Sequence, residues 1–373
     1  MLKRKLMIAA IVAAATIGEG VFAVPYVIER AGWLVALCYF IAIIAIVSVA
    51  HVVYLRTLAA VGEKERLLGL ARKYFGRTGF WTGFVAIVVG LLLSFVAFLV
   101  LGSEFLRIII PWLSASAALG IFWLFLAFLI WRSEGRIASL EAIGVSAVTL
   151  AIFFIFFSGH PATAFALAPA AVPASFFLPF GVVLFSLAGW TCVEPIYELA
   201  VSGRRAIADE TGAETFWLFA AGTAFAGLLY WLFAAGVIGT TPQVAASIVV
   251  NTATWPAWRQ DILAAVGLLS ISVVSIPIAR EIRGAMEKDL RWHSSLSRTL
   301  IIVIPIAAVL LGFNSFVEVI GLAGGLFIAA QYLLIIVVGR RTLPLSRSQK
   351  IVLDIVALVF LCAAVYEIWY FVV

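Results

Sequence analysis

Eleven stretches of this sequence approach the roughly 20 apolar residues that a helix needs to cross a bilayer. They fall at 6–29, 33–56, 80–103, 110–131, 138–157, 176–200, 214–238, 261–281, 299–313, 317–338 and 351–373. A chain of 373 residues that is 65% hydrophobic and 12% charged departs far from a soluble domain, which is about half apolar and a quarter charged. The pattern predicts an all-α polytopic membrane protein. The start, Met1-Leu2-Lys3-Arg4-Lys5 before an apolar run, superficially fits a signal peptide. That run outlasts an h-region and meets no clean cleavage site, so it is read as a retained first helix. Cys38, Cys192 and Cys362 are isolated in apolar stretches, and packing is expected of them rather than a disulfide or a metal. His51, His160 and His293 are too few for metal chemistry, and no Walker loop or His-Glu-x-x-His motif occurs. No enzyme and no cofactor is expected. The net charge of +6 belongs to the loops, so a nucleic-acid partner is not expected either.

Charge sets the expected orientation. Of the 25 Lys and Arg, 22 fall within 1–5, 56–77, 132–136, 204–205, 280–298 and 340–350, which are alternate connections on one side. Only Arg30, Arg107 and Arg259 fall on the other side. Positive residues mark cytoplasmic loops, so a multi-pass protein of the cell (plasma or inner) membrane is expected, with its N-terminus cytoplasmic and its C-terminus extracytoplasmic. Residues 58–77, with Lys64, Arg66, Arg72 and Lys73 beside Leu67, Leu68, Leu70 and Phe75, predict an amphipathic interfacial helix. Residues 239–260 form a long external connection. These two connections take equivalent places on opposite sides if 1–157 and 176–338 are two five-helix copies in inverted repeat, with 351–373 an additional helix.

Two apolar segments carry helix-breaking residues at matching places. The first contains Gly18-Glu19-Gly20-Val21-Phe22-Ala23-Val24-Pro25. The sixth contains Gly189-Trp190-Thr191-Cys192-Val193-Glu194-Pro195, so a proline follows a glycine by seven residues in one and six in the other. Glycine weakens a helix interior and proline removes a donor. In lipid the opened turn must find protein, ligand or a wet cavity. The bland reading of the first segment is a kinked helix with Glu19 paired to a neighbour. The functional reading is a discontinuous helix that binds a solute. Interrupted segments in corresponding positions of two halves point to the binding site of a secondary transporter.

The first segment resembles the Gly-x-Gly-[Val/Ile]-[Phe/Leu]-x-x-Pro opening of permeases in the amino acid–polyamine–organocation superfamily. The sixth, with Phe180-Gly181-Val182-Val183-Leu184-Phe185 and Pro195-Ile196-Tyr197-Glu198-Leu199, is similar to the hydroxy and aromatic amino acid permease branch, the tryptophan and tyrosine permeases. Two positions depart from that pattern. Glu19 stands where such permeases commonly carry a small neutral residue, and Glu194 precedes Pro195 where related sequences often place the acid after it.

The resemblance implies a LeuT-type 5+5 inverted repeat with about 11 helices, the first and sixth broken, and uptake of an aromatic or large neutral amino acid by alternating access. Half-helix N-termini suit a carboxylate, and freed carbonyls suit an ammonium group or a cation. The expected substrate residues are Ile17, Gly18, Gly20, Val21, Phe22, Phe185, Ser186, Gly189, Trp190 and Thr191. Among the buried ionisable candidates Glu19, His51, Glu141, Glu194, Glu198 and Glu318, Glu19 is the first proton carrier considered and Glu194 the second. Bland readings stand beside them: a structural hydrogen bond for Glu194 and Glu198, water-facing for Glu141, and a helix carbonyl for His51. Sodium coupling, with oxygens from the first helix and from Ser272 and Ser275, is the competing reading. Ion-independent exchange is a third. A receptor on the same scaffold, as in spore-germinant receptor subunits that resemble permeases, is the reading of a different class.

Overall fold

The computed structural model describes residues 2–62, 66–132, 138–202, 212–241 and 244–372. Lys64, Arg136, Arg204, Arg205 and Pro242 lie outside the described residues, as does the side chain of Glu141. Among the described residues the elements are helices and no strand occurs. Among the described residues eight helices are long and apolar enough to cross a membrane, nine with one bent pair. Two shorter apolar helices, Ile143–Ser158 and Ser294–Leu310, fall in the expected fifth and ninth segments.

The first span is interrupted: α1 (Leu2–Thr16) stops, a 3-10 turn covers Glu19–Ala23, and α2 (Val24–Ala31) continues at 56° to the first part. The second span is α3 (Trp33–Val61). The third combines α4 (Leu67–Phe84), a π-turn at Val85–Val89 and α5 (Gly90–Ile109). The fourth is α6 (Ala115–Arg132) and the fifth α7 (Ala138–Ser158). After a short connecting helix, α8 (Pro161–Leu167), the sixth span is broken: α9 (Pro179–Leu187), a 3-10 turn at Trp190–Cys192, then α10 (Val193–Ser202). The seventh is α11 (Gly212–Ile238). The following connection folds into α12 (Ile248–Thr252), and the eighth span is α13 (Ala257–Gly284). The ninth is α14 (Ser294–Leu310). The tenth runs through α15 (Phe316–Leu322), a π-turn at Ala323–Ile328 and α16 (Ala329–Thr342), and the last span is α17 (Arg347–Val372).

The expected interfacial helix is shorter and better anchored than its sequence implies. Residues 58–61 still belong to α3. The amphipathic piece is the first part of α4, which turns into the third span at Gly76, where φ is 62° and ψ −143°. That left-handed backbone favours glycine. Leu67, Leu68, Leu70 and Ala71 are buried, so this face docks on the bundle rather than on lipid. The connection between the seventh and eighth spans is held by two acids: Glu29 accepts from the Val244 N–H, and Glu104 Oε2 accepts from the Ile248 N–H at 2.9 Å. The cysteines are free. Cys192 packs inside as expected, whereas Cys38 and Cys362 are exposed on outer faces.

The sixth and tenth spans approach backbone to backbone. A Cβ built on Gly181 would meet the Glu367 Oε1 at 2.5 Å and the Gly321 carbonyl carbon at 3.0 Å, and one on Gly324 would meet the Phe185 nitrogen at 2.9 Å. Only glycine permits such packing, and it brings the π-turn of the tenth span beside the unbroken part of the sixth.

Candidate functional site

The first break is closed by a tyrosine from the seventh span. Ile17 N–H makes the last helical bond, to Ala13 O at 2.8 Å. Gly18 then becomes extended, at φ −156° and ψ −162°. Its N–H donates to Tyr230 Oη at 2.9 Å, and Tyr230 Oη donates to Thr16 O at 2.6 Å. One hydroxyl therefore satisfies a donor and an acceptor that helix termini leave open. The half-helix beyond begins at Glu19, and Val21 N–H reaches Gly18 O at 3.4 Å. Glu19 is 4% exposed, and among the described residues its Oε2 has no hydrogen-bond partner. It lies in the first turn of that half-helix, where the positive end of a helix dipole favours negative charge.

The second break has a matching device. Ala188 is extended, with ψ 124°, and Gly189 follows at φ −143° and ψ 19°. Gly189 N–H donates to Tyr332 Oη at 3.2 Å, and His51 Nε2 shares a hydrogen bond with that same hydroxyl at 2.9 Å. His51 was expected to bond a helix carbonyl; it bonds Tyr332 instead, because the tenth span brings a hydroxyl within reach. Next to this, Trp190 Nε1 donates to Gln331 Oε1 at 2.6 Å, and Gln331 Nε2 donates to Ala86 O at 2.8 Å. Ala86 is in the π-turn of the third span, a geometry that displaces carbonyls from ordinary helical bonding.

The two breaks touch. A Cβ on Gly20 would lie 2.5 Å from Ser186 Oγ and 2.7 Å from Ser186 Cα, and one on Gly189 would lie 2.8 Å from Thr16 Oγ1. Ile17, Gly20, Val21, Phe22, Phe185, Ser186, Gly189 and Trp190 are buried, Gly18 is half-buried, and Thr191 is exposed. Phe22 sits in an aromatic cluster, its ring centroid 4.9 Å from Phe105 and 5.5 Å from Phe233. Trp190 instead neighbours Tyr54, at 6.3 Å. Val274 of α13 faces Gly18, its Cγ2 3.9 Å from where a Cβ would be. The flanking serines bond within their own helix: Ser272 Oγ donates to Leu268 O at 2.5 Å and Ser275 Oγ to Ser272 O at 2.9 Å. Serines in membrane helices commonly do this, and their oxygens keep lone pairs for a cation.

The other acids separate. Glu194 accepts from Tyr54 Oη at 2.6 Å and lies 3.8 Å from Arg66, which also pairs with Glu281 at 3.4 Å. It has the structural hydrogen bond of its bland reading. Glu198 and Glu318 are exposed. The sequence reading missed Tyr230, Tyr332 and Gln331, although a buried tyrosine or amide in an apolar span needs a partner. It also missed Glu367, 5% exposed and packed against Gly181 and Gly325. An acid inside the final apolar run was its signal.

Comparison with known proteins follows this geometry. The model of the family described as "Tryptophan/tyrosine permease family" matches residues 2–275. A comparison with curated proteins returns no match. Among solved structures, the chain is similar to MhsT in complex with L-phenylalanine, with a TM-score of 0.65 at 12% identity, over 95% of this chain and 98% of that one. It is also similar to the Eremococcus coleocola manganese transporter in complex with an aromatic bis-isothiourea substituted compound. There the TM-score is 0.64 at 13% identity, over 97% of this chain and 86% of that one. At such identities the likeness speaks for the architecture alone, and that architecture is the LeuT-type fold that the permease resemblance implied.

Proposed function

The chain belongs to the tryptophan/tyrosine permease family, and from that premise we propose that it takes up an aromatic or large neutral amino acid by proton-coupled alternating access. The transporter itself is an integral multi-pass membrane protein. The observation that carries the finer reading is the contact between two opened helices, Gly20 against Ser186 and Gly189 against Thr16. There each break's glycine lies against a hydroxyl residue of the other span. N–H groups at the start of the Glu19–Ala23 turn receive the substrate carboxylate. Carbonyls ending α1 and α9 receive its ammonium group. Phe22, with Phe105 and Phe233 around it, offers an aromatic wall for the side chain.

Proton coupling rests on where Glu19 sits. Its carboxyl occupies the same half-helix start that serves the substrate anion, with one oxygen unpartnered. Two carboxylates at one dry helix end repel. Binding the substrate therefore goes together with a proton on Glu19, and the pair crosses with one charge fewer. The residue distribution supports a cytoplasmic N-terminus in a cell or inner membrane. The ion pairs Lys5–Glu214 and Arg340–Asp354 each join helix ends assigned to that side. Residues 1–157 and 176–338 are the two inverted halves, with 351–373 appended.

The test is uptake of radiolabelled amino acids in proteoliposomes, with pH and sodium gradients imposed separately. Glu19→Gln should lose accumulation driven by a pH gradient and keep counterflow of substrate against substrate. Wild-type-like accumulation by Glu19→Gln would remove the proton role. Uptake that needs sodium and ignores pH would favour the second reading, a sodium symporter. Ser272 and Ser275, flanking the Val274 that faces Gly18, are the oxygens for that reading. Ion-independent exchange would show as counterflow without accumulation in wild type. A receptor would show binding without counterflow.

A further inference from the structure

Away from the broken spans, the start of the eighth span borders a cavity of about 460 Å³ lined by Ser158, His160, Thr241, Thr254, Trp255 and Arg259, among others. Arg259 lies in the first turn of α13 and is 3% exposed. Its Nη2 donates to Ile155 O at 3.3 Å and Gly236 O at 3.2 Å, carbonyls in the last turns of α7 and α11. Its guanidinium lies 3.8 Å from the Trp255 ring centroid. Those contacts use one nitrogen and one face. Nε has no hydrogen-bond partner, and among the described residues no carboxylate is recorded as its ion-pair partner. A buried guanidinium ordinarily meets a carboxylate or phosphate in its fork.

The surroundings specify what would complete it. The lining contains no acidic residue, so nothing in the cavity competes for the cation. The N-terminus of the 28-residue α13 adds the positive end of its dipole. Trp255, Pro256 and Trp258 form apolar walls, and the volume lies within the roughly 300–1,000 Å³ of small-molecule sites. A bare halide would leave those walls unused. We propose that this cavity is a peripheral binding site for an aromatic carboxylate, held by the Arg259 guanidinium with its ring against the two indoles. None of its lining residues belongs to the spans that carry the central breaks, so the site is separate from the Gly20–Ser186 contact.

Isothermal titration of the purified full-length protein with phenylacetate tests this. Phenethylamine, which lacks the carboxylate, and sodium chloride, which lacks the ring, serve as comparison ligands. Phenylacetate should bind at one site and phenethylamine should not. Thr254→Trp, which fills the cavity and leaves every bond of Arg259 in place, should weaken phenylacetate by about tenfold or more, a change of about 1.4 kcal/mol. Gly20→Val, which obstructs the central breaks, should leave phenylacetate binding intact. Arg259→Gln should also abolish binding, but because Arg259 holds two helix ends, Thr254→Trp carries the test if that variant does not fold. Undiminished binding by Thr254→Trp would overturn the proposal. So would loss of binding in Gly20→Val with retention in Thr254→Trp, which would assign the ligand to the central site. Binding of chloride but not phenylacetate would overturn the aromatic class.

Discussion

Replacing Tyr230 by Phe removes one oxygen and no volume, and it opens the first break on both sides. The Gly18 N–H loses its acceptor at 2.9 Å and the Thr16 carbonyl loses its donor at 2.6 Å. A buried polar group left unpaired costs about 1–3 kcal/mol, so two of them set an upper figure of about 6 kcal/mol. Thr16 O can regain part of this by accepting elsewhere, because a carbonyl has two lone pairs, and water entering the break would recover more. The expected loss is about 2–4 kcal/mol. Each 1.4 kcal/mol changes a population about tenfold, so uptake should fall by about tenfold or more if the opened geometry is the binding-competent one. The assay is reversible unfolding in mixed micelles beside proteoliposome uptake. Tyr26→Phe is the control, because Tyr26 is half-buried in α2 and, among the described residues, its polar contact is the cation–π contact with Arg30. That variant should stay within about 0.5 kcal/mol of wild type. If Tyr230→Phe matched Tyr26→Phe in both stability and uptake, the hydroxyl would not be what holds the break, and the reasoning would fail.

Two further outcomes follow from the glycines. Gly20→Val should abolish uptake, and Ser186→Gly should not rescue it, because the new Cβ would meet Ser186 Cα at 2.7 Å as well as its Oγ at 2.5 Å; transport by the double variant would show that the breaks separate more readily than the packing implies. Gly120→Ala should stabilise α6 by about 0.5–1 kcal/mol with uptake unchanged. A Cβ there meets nothing within 4 Å, and a destabilised protein in the same micelle assay would contradict this.

Much of the architecture is local in origin and was legible in the residues. Apolar length sets where a helix can cross, and the expected segments correspond to helical ones even where the ninth is short. Gly18, Gly20 and Gly189 weaken helix propensity where they stand, so both interruptions could be read before any contact was known. The interfacial helix was misjudged because periodicity reports an apolar face but not whether lipid or protein covers it. Leu67, Leu68 and Leu70 turned out to be covered by protein. His51 was misjudged for a similar reason. Its partner, Tyr332, is 281 residues away, and no local pattern encodes that.

The sequence by itself determined that this chain is a bundle of membrane helices, that two of them come apart midway, and that an acid sits inside one of the openings. Those facts depend on hydropathy and backbone preference, which act over a few neighbouring residues. Only the tertiary structure decided how the openings are held. Tyr230 reaches Gly18 across 212 positions and Tyr332 reaches Gly189 across 143, while Gln331 ties Trp190 to the third span. Hydrogen bonds of that range form because lipid offers an exposed peptide group no partner, so each opened turn must be met by whichever polar side chain the packing of distant spans delivers.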